Sequence, residues 1–493
     1  MADLWIRKPL AKLLNEASES DNGLKRTLGA GSLIALGIGA IIGAGLFVRT
    51  AAAAATAAGP SVTLGFIVAA IGCAFAGLCY AELSSMIPIA GSAYTYSYAT
   101  MGELVAWIIG WDLVLEYAIG AATVAIAWSE YLNKLLGLFG ASIPFAWCHS
   151  PFQTDDVTHA HGVMNVPALF ILLVLTLLLI RGMRESAVVN GIIVIAKVAI
   201  VILIIVLGWS FINPANHTPY IPPTSTFIDK EGVSHHFGGY QGIIGAAGIV
   251  FFAFIGFDAV STAAQEAKNP KRDMPIGILG SLVVCTVLYI LFAHVLTGLA
   301  PVEFFRKEGS EASVARAIDA FMPGYKWLSN AVTVAILAGF SSVILVMLMG
   351  QSRVFYSMSK DGLVPGVFSQ LHPKHRTPYK SNWLFFVFVG AFAAFVPGDI
   401  VGDMTSIGTL FAFMLVSIGA WVMRVKNPEA PRQFRAPAIR VVSTLGVLIC
   451  GAMIFGLGWP NWARLGVWLV IGLVIYFTYG IRNSKLNAPT KPG

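Results

Sequence analysis

The sequence predicts an all-α integral membrane protein with twelve transmembrane helices. Its 493 residues carry 32 basic and 25 acidic side chains, so only 12% are charged, whereas an ordinary soluble domain has roughly 25%. Hydrophobic residues make up 57% of the chain, and the mean hydropathy is +0.75. This charge is too sparse to cover a soluble surface. It also lacks the dense basic face with which a nucleic-acid-binding protein follows phosphates, so no nucleic-acid partner is expected.

The predicted helices are apolar stretches that approach or exceed the roughly 20 residues needed to cross a bilayer. Their approximate limits are 28–57, 62–86, 93–138, 163–181, 187–211, 239–265, 275–299, 327–357, 383–397, 402–423, 438–458 and 463–481. The third and eighth exceed one perpendicular crossing, so we expect them to tilt or to extend beyond the bilayer. The predicted parts are an N-terminal tail (1–26), a first unit of five helices (27–213), a second unit of five (214–424), two further helices (425–482) and a C-terminal tail (483–493).

The distribution of lysine and arginine predicts that both termini are cytoplasmic. Segments on the side of the termini carry 23 of the 32 basic residues, the opposite side carries seven, and Arg49 and Lys197 lie within spans. Cytoplasmic loops of membrane proteins retain an excess of basic residues. The net charge of +7 is therefore a signal of topology, and anionic inner-leaflet lipid is the only acidic partner that it implies.

Residues 4–17 have an amphipathic pattern with two interpretations. The segment is either an interfacial helix on the inner leaflet or a mobile basic tail, and the pattern favours neither. The apolar face consists of Leu10, Leu13, Leu14 and Ala17.

Glycines interrupt the first predicted span. Residues 37–47 read Gly-Ile-Gly-Ala-Ile-Ile-Gly-Ala-Gly-Leu-Phe, and glycine costs about 1 kcal/mol relative to alanine inside a helix. A break in mid-membrane would expose N–H groups that can hold a carboxylate and C=O groups that can hold an ammonium. An α-amino acid carries both groups. The alternative is close helix packing through Gly39 and Gly43, and the glycines alone leave the two interpretations equal.

The sixth span contains a second interruption, at Gly256 and Asp258. The first and sixth spans are corresponding members of the two five-helix units. Discontinuous helices in matching positions of inverted repeats are typical of secondary transporters that bind their substrate near the membrane midplane. The interruptions and the topology together predict a 5+5 inverted repeat plus two extra helices.

Six segments along the chain carry a family signature. They are Gly43-Ala-Gly-Leu-Phe47, Cys79-Tyr-Ala-Glu-Leu-Ser-Ser-Met-Ile-Pro88, Gly91-Ser-Ala-Tyr-Thr-Tyr96, Gly110-Trp-Asp-Leu-Val-Leu-Glu-Tyr117, Glu266-Ala-Lys-Asn-Pro-Lys-Arg-Asp-Met-Pro275 and Pro428-Glu-Ala-Pro-Arg-Gln-Phe-Arg-Ala-Pro437. Together they resemble the amino acid–polyamine–organocation superfamily, and the last two particularly resemble its cationic amino acid transporter branch. Twelve spans are similar to the bacterial members.

The resemblance implies the broken-helix fold shared with the sodium-coupled leucine transporter, and a free L-amino acid moved by alternating access. The implied backbone contacts are N–H groups of Gly43, Ala44 and Gly45 to the substrate carboxylate, and carbonyls of Ile41, Phe252 and Ile255 to its amino group. Phe257 would be an aromatic gate. Many relatives have serine where this chain has Ala44, so a hydroxyl contact to the carboxylate is absent here.

Lys197 lies in the middle of the fifth predicted span. A mid-membrane lysine costs at least about 2.5–3.5 kcal/mol on insertion scales, and it is too far from either end to reach water readily. We expect it to face the protein interior, where burial favours the neutral amine, and we predict that it carries the coupled proton. In proton-coupled relatives a matching lysine replaces a sodium ion, and Ser341 and Ser342 would lie nearby. The alternative is a fixed ammonium paired with carbonyls or a carboxylate.

Two acidic residues are predicted to support the site. Glu116 would line the substrate route or compensate a buried cation, and Asp258 would orient the sixth-span break. The mapped lining is chiefly apolar, and Met347 is bulky and flexible enough to shorten the pocket. We therefore predict a small neutral amino acid such as alanine, with cationic amino acids (Arg, Lys or ornithine) as the alternative. The lining is Ala44, Phe252, Phe257 and Met347, with Ser406 and Thr409 as polar candidates.

Other functional classes remain as alternatives. An uncoupled amino acid exchanger would use a permanently charged Lys197, and a membrane amino acid sensor would bind without transporting. The five cysteines have no disulfide or metal-ligand spacing. No nucleotide, haem or nucleophile motif is visible, so no enzyme activity, cofactor or metal is expected. An accessory membrane subunit is left undetermined.

Overall fold

Helices make up most of the structure, which is a computed structural model. It describes residues 3–18, 26–43, 45–89, 91–137, 139–155, 159–228, 234–308, 313–456 and 459–487. The helices of the N-terminal half are α1 (Leu10–Ser18), α2 (Ala30–Ile41), α3 (Thr50–Ala53), α4 (Val62–Met86), α5 (Ser92–Thr100), α6 (Glu103–Leu113), α7 (Gly120–Gly137), α8 (Val166–Arg181) and α9 (Met183–Gly208). Wider π-type turns flank α3, at Gly45–Arg49 before it and Ala54–Ala58 after it. A third π-type turn, at Val114–Ile119, joins α6 to α7.

The C-terminal half continues in the same way after a short antiparallel hairpin of β1 (Ser225–Ile228) and β2 (Ser234–Phe237). Its helices are α10 (Gly239–Phe251), α11 (Pro270–Leu299), α12 (Val302–Glu308), α13 (Ser313–Phe321), α14 (Lys326–Lys360), α15 (Tyr379–Phe395), α16 (Gly398–Lys426), α17 (Ile439–Gly456), α18 (Trp459–Ile475) and α19 (Ile481–Asn483). Tight helical turns at Phe252–Phe254 and Phe257–Glu266 follow α10. The hairpin was not predicted from the sequence.

The lengths and composition of these helices indicate a multi-pass membrane protein. In the described part of the chain, eight continuous helical stretches are long and apolar enough to cross a membrane: Gly45–Met86, Glu103–Gly137, Ser186–Phe211, Gly239–Glu266, Pro270–Leu299, Lys326–Lys360, Ile400–Lys426 and Trp459–Asn483. Four shorter apolar helices accompany them: Ala30–Ile41, Val166–Arg181, Tyr379–Phe395 and Ile439–Phe455. Every apolar stretch predicted from the sequence overlaps at least one of these helices.

The third predicted stretch differs from the expectation of one long helix. The structure divides it into α5 and the α6–α7 helix, which begins at Glu103. The N-terminal segment supplies the reason, because the Glu103 N–H donates to the Ile6 carbonyl and the Leu104 N–H to the Leu4 carbonyl, both at 3.0 Å. These bonds satisfy donors that a helix start leaves open, and they hold the end of α5 apart from α6.

The two chain ends meet at one end of the helix bundle. Lys8 is 4% exposed, and its Nζ lies 2.5 Å from Oδ1 of Asp361 at the end of α14. From the other end of the chain, Tyr476 and Ser484 donate to the carboxylate of Glu103. Lys8 and the buried Leu13 therefore attach the N-terminal segment to the helix bundle.

A buried ion pair joins α14 to the segment after α10. Arg353 and Glu266 are each 1% exposed, and Arg353 Nη2 lies 3.0 Å from Glu266 Oε1. We expect Glu266→Gln to lower the free energy of unfolding by about 3–5 kcal/mol, because the buried Arg353 guanidinium loses its ion pair with the Glu266 carboxylate. The measurement is the thermal unfolding midpoint of the purified protein. The same change at the exposed Glu429 is the control, and equal shifts in both variants would contradict the prediction.

Candidate functional site

The first broken helix begins with α2, which ends at Ile41. Helical structure resumes at Gly45, and Gly43 packs against Val343 of α14. Ala44, which the sequence assigns to the substrate carboxylate, lies outside the described residues. The glycine-rich run therefore interrupts the helix, and the last carbonyls of α2 are available to partners from other helices.

The second broken helix follows α10. Ile255 adopts an extended backbone (φ −58°, ψ 135°), and Gly256 has a φ of +110°. A left-handed φ is readily reached only by glycine, so Gly256 permits the reversal between the turn at Phe252–Phe254 and the segment that begins at Phe257. Ile255, Phe257 and Asp258 are all buried at this break.

The two breaks are in direct contact. A Cβ atom on Gly45 would lie 2.2 Å from the Cα of Ala253, and one on Gly256 would lie 2.8 Å from the Cβ of Ala40. Neither distance leaves room for a side chain, so the backbones of the two segments touch. Segments more than 200 residues apart in sequence thus place their free N–H and C=O ends side by side.

Tyr289 of α11 connects the two breaks and was missed by the sequence reasoning. Its hydroxyl lies 2.8 Å from the Ile41 carbonyl and 2.9 Å from the Ala253 carbonyl, and both accept its single proton. The rings of Phe66 and Phe254 pack against it, with centroids at 5.4 and 5.3 Å. A buried tyrosine hydroxyl usually has a hydrogen-bond partner. The presence of Tyr289 in an apolar helix could therefore have predicted a hydrogen bond to another helix.

Lys197 of α9 reaches the end of the first half-helix. Its Nζ donates to the carbonyls of Gly39 (2.9 Å) and Ile42 (2.8 Å) and to Oγ of Ser342 (3.3 Å), and the residue is fully buried. An ammonium has three protons to donate, so these partners satisfy it completely. The carbonyl end of a helix also favours a cation.

Only one of the two predicted serines contacts Lys197. Ser342 Oγ lies 2.9 Å from the Gly39 carbonyl and 2.7 Å from Oδ1 of Asn190, a residue that the sequence reasoning did not identify. Ser341 instead donates to the carbonyl of Leu337 in its own helix, at 2.9 Å. The structure therefore brings Ser342, and not Ser341, into contact with Lys197.

The predicted acidic residues lie together on the other side of the second break. Tyr117 donates a short hydrogen bond to Asp258, and the carboxyl group of Glu116 lies near Asp258 and Thr409. All four residues are fully buried. The π-type turn at Val114–Ile119 directs Glu116 and Tyr117 to neighbouring positions, so this group is assembled from three separate parts of the chain.

The remaining predicted lining residues contact different parts of the structure. Met347 is buried, and its sulfur lies 3.0 Å from the place that a Cβ on Gly120 would occupy. Phe257 packs on the rings of Tyr80 and Phe413, with centroids at 5.9 and 4.9 Å. The hydroxyls of Ser406 and Thr409 bond to carbonyls of their own helix. Phe252 lies beneath the Arg49 guanidinium, with the ring centroid at 5.2 Å.

This arrangement defines a multi-pass membrane protein built around two interrupted helices that meet at their breaks, a design that secondary transporters use. The chain belongs to the amino acid permease family, whose model matches residues 28–479. The predicted resemblance to the amino acid–polyamine–organocation superfamily is therefore confirmed.

Three relatives show the range of this family. The chain is 43% identical to a branched-chain amino acid permease of Bacillus subtilis (strain 168), over 98% of this chain and 99% of the relative. It is 40% identical to a methylthioribose transporter of the same organism, over 99% and 100%. It is 36% identical to the chloroplastic cationic amino acid transporter 9 of Arabidopsis thaliana, over 90% and 74%. The relatives are named as permeases and transporters rather than enzymes, as the sequence predicted.

Proposed function

We propose that the protein is a secondary active transporter that moves a free L-amino acid across the plasma membrane by alternating access. The contact between the two broken helices is the observation that carries this proposal. The proposed fold has twelve spans, with a 5+5 inverted repeat followed by two further helices, and the distribution of lysine and arginine supports a cytoplasmic position for both termini. A zwitterion fits such a site because carbonyl and N–H ends of half-helices attract its ammonium and carboxylate, respectively.

The substrate's main-chain groups would be held by backbone atoms. The N–H groups of residues 43–45 would bind its carboxylate, and the carbonyls of Ile41, Phe252 and Ile255 would accept from its ammonium. The Ile41 carbonyl already accepts from Tyr289, but a carbonyl oxygen has two lone pairs. Tyr289 would hold this carbonyl in place without blocking it.

Proton coupling is assigned to Lys197 in this proposal. Its three hydrogen bonds connect α9 to the end of α2 and to α14. The strength of these hydrogen bonds depends on whether Lys197 is protonated. Charge-assisted hydrogen bonds are roughly twice as strong as neutral ones. Protonation would therefore tighten the contact between the first broken helix and its neighbours, and deprotonation would loosen it. Glu116 and Asp258 would support the second break.

The proposed substrate is a neutral amino acid, with small ones such as alanine preferred. The rings of Phe252 and Phe257 and the side chain of Met347 would supply an apolar surface, which would favour a neutral side chain. The relatives' names add branched-chain amino acids, methylthioribose and cationic amino acids as competing substrates.

A competition panel tests the substrate. We expect unlabelled alanine and serine to displace labelled alanine from the protein in proteoliposomes, and arginine to displace none at the same concentration, because a cationic side chain would lose its hydration against an apolar surface. Strong displacement by leucine with little by serine would assign a branched-chain substrate. Displacement by arginine or methylthioribose alone would overturn the neutral assignment.

An uncoupled exchanger is the main alternative, because the complete hydrogen bonding of the Lys197 ammonium also suits a permanently charged group. Counterflow separates the alternatives. Exchange that is unaffected by a proton gradient would support the exchanger, and substrate binding with no counterflow would indicate a membrane amino acid sensor.

A further inference from the structure

A basic cleft lies where α11 begins, away from the broken-helix site. It encloses about 890 Å³ and is open to the outside. Four of its lining residues are cationic, and none is acidic. The lining consists of Arg26, Pro88, Lys268, Asn269, Pro270, Lys271, Arg272, Pro275, Ile276, Gln433 and Phe434.

The walls of the cleft are held by defined contacts. On one side, the N–H of Leu28 donates to the Glu266 carbonyl (2.9 Å), and the N–H of Lys268 donates to the Leu28 carbonyl (2.8 Å). On the other side, the loop that contains Gln433 and Phe434 is fixed to Glu82, which accepts from Arg424 and Arg432 and from the N–H of Ala436. The cleft therefore lies between two segments that are each held in place by hydrogen bonds.

Three of the cations that line the cleft are exposed on the protein surface. Lys268, Lys271 and Arg272 are exposed, and the described residues form no ion pair with any of the three. Like charges around one cleft repel one another, so an anion entering the cleft would be attracted by each of them. Lysine and arginine side chains bind phosphate groups in this way.

An exposed apolar stripe leads directly out of the cleft along α11. It begins at the cleft residue Ile276, which is 39% exposed, and continues through Val283 (62%), Val284 (38%) and Val287 (52%). These positions lie on one helical face. The rise from Ile276 to Val287 is about 16 Å, close to half of a hydrocarbon core of about 30 Å.

We propose that this cleft binds the head group of an anionic phospholipid, with the lipid phosphate among Lys268, Lys271 and Arg272 and an acyl chain along the α11 stripe. The cationic cleft and the apolar stripe match the two halves of one lipid molecule. A soluble anion would occupy the cationic cleft and make no contact with the apolar stripe. Basic pockets at helix ends are suited to anionic head groups, and this proposal rests on the membrane-spanning class of the protein and not on its transport activity.

The position of the lipid gives it a structural consequence. Residues 26–28 precede the first broken helix, and residues 267–268 follow the second. A lipid phosphate shared between Arg26 and Lys268 would therefore hold together the ends of both interrupted helices. Bound lipid should stabilise the folded protein even when no substrate is present.

The test compares delipidated protein reconstituted with vesicles of defined composition. We expect phosphatidylglycerol vesicles to raise the thermal unfolding midpoint above that in phosphatidylcholine vesicles, and native mass spectrometry to detect retained phosphatidylglycerol. Lys268→Gln/Lys271→Gln/Arg272→Gln should lose both effects. The matched control is Lys360→Gln/Lys374→Gln/Lys426→Gln, which removes three exposed charges outside the cleft and should keep both.

Three outcomes would overturn the proposal. They are an equal shift in phosphatidylcholine, an equal loss in the control variant, and a full shift when inorganic phosphate is added to phosphatidylcholine vesicles. The last outcome would assign the cleft to a soluble anion. Substrate competition is measured on the same samples, so a failure of the transport proposal remains distinguishable from a failure of the lipid site.

Discussion

Lys197→Ala is expected to reduce proton-driven amino acid uptake to background. The substitution removes a fully buried ammonium, leaves the Ile42 carbonyl without its side-chain donor and leaves Ser342 as the side-chain donor to the Gly39 carbonyl. An unsatisfied buried polar group costs about 1–3 kcal/mol, so the end of α2 loses its anchor as well as its titratable group. The measurement is uptake into proteoliposomes under an imposed proton gradient, with counterflow measured in parallel.

The neighbouring serines provide the control for this prediction. Ser341→Ala removes a hydroxyl that bonds only within its own helix, so proton-driven uptake should be nearly unchanged. Ser342→Ala removes a direct partner of Lys197 and should have an intermediate effect. Intact proton-dependent uptake in Lys197→Ala would disprove the coupling role. Equal loss of uptake and counterflow would favour a fixed structural ammonium.

Gly45→Ala is expected to destabilise the protein by about 3 kcal/mol and to abolish substrate binding. The added methyl group would lie 2.2 Å from the Cα of Ala253, so the two broken helices must separate. Overpacking a tight contact typically costs 1–3 kcal/mol and occasionally more, and here the obstructing atom belongs to backbone that cannot rotate away. The thermal unfolding midpoint and the binding of labelled substrate are the measurements.

Gly248→Ala is the matched control, because it makes the same change in α10 close to the second break. A Cβ on Gly248 would meet no atom within 4 Å, and alanine is a better helix former than glycine. The stability of this variant should be equal to or greater than that of the original protein. If Gly45→Ala were tolerated as well as Gly248→Ala, the direct contact between the two breaks would be wrong.

The interruptions after Ile41 and at Gly256 could be predicted because they depend on local properties of the chain. Glycine weakens a helix wherever it occurs, and the left-handed φ of Gly256 needs a residue without a Cβ. The burial of Lys197 was also predictable, because a lysine ten residues from either end of an apolar stretch has no route to water. Tyr289 and Asn190 were missed because their roles depend on hydrogen bonds to atoms of other helices.

The division of the third predicted stretch into α5 and α6 shows the same limit. The sequence remains apolar across the boundary, and the break depends on the carbonyls of Leu4 and Ile6, which accept hydrogen bonds from the first N–H groups of α6. Such pairing brings together segments about 100 residues apart in the chain. No local pattern encodes it.

The sequence by itself determined that the protein crosses the membrane many times, where two of its helices are interrupted and that Lys197 is buried. These properties follow from transfer free energy and helix propensity, which are set residue by residue. Only the tertiary structure decided that the two interruptions touch, that Lys197 binds the end of α2 and that Tyr289 joins both breaks. These contacts depend on helix packing, because residues as distant as Gly39 and Lys197 meet only when their helices pack side by side.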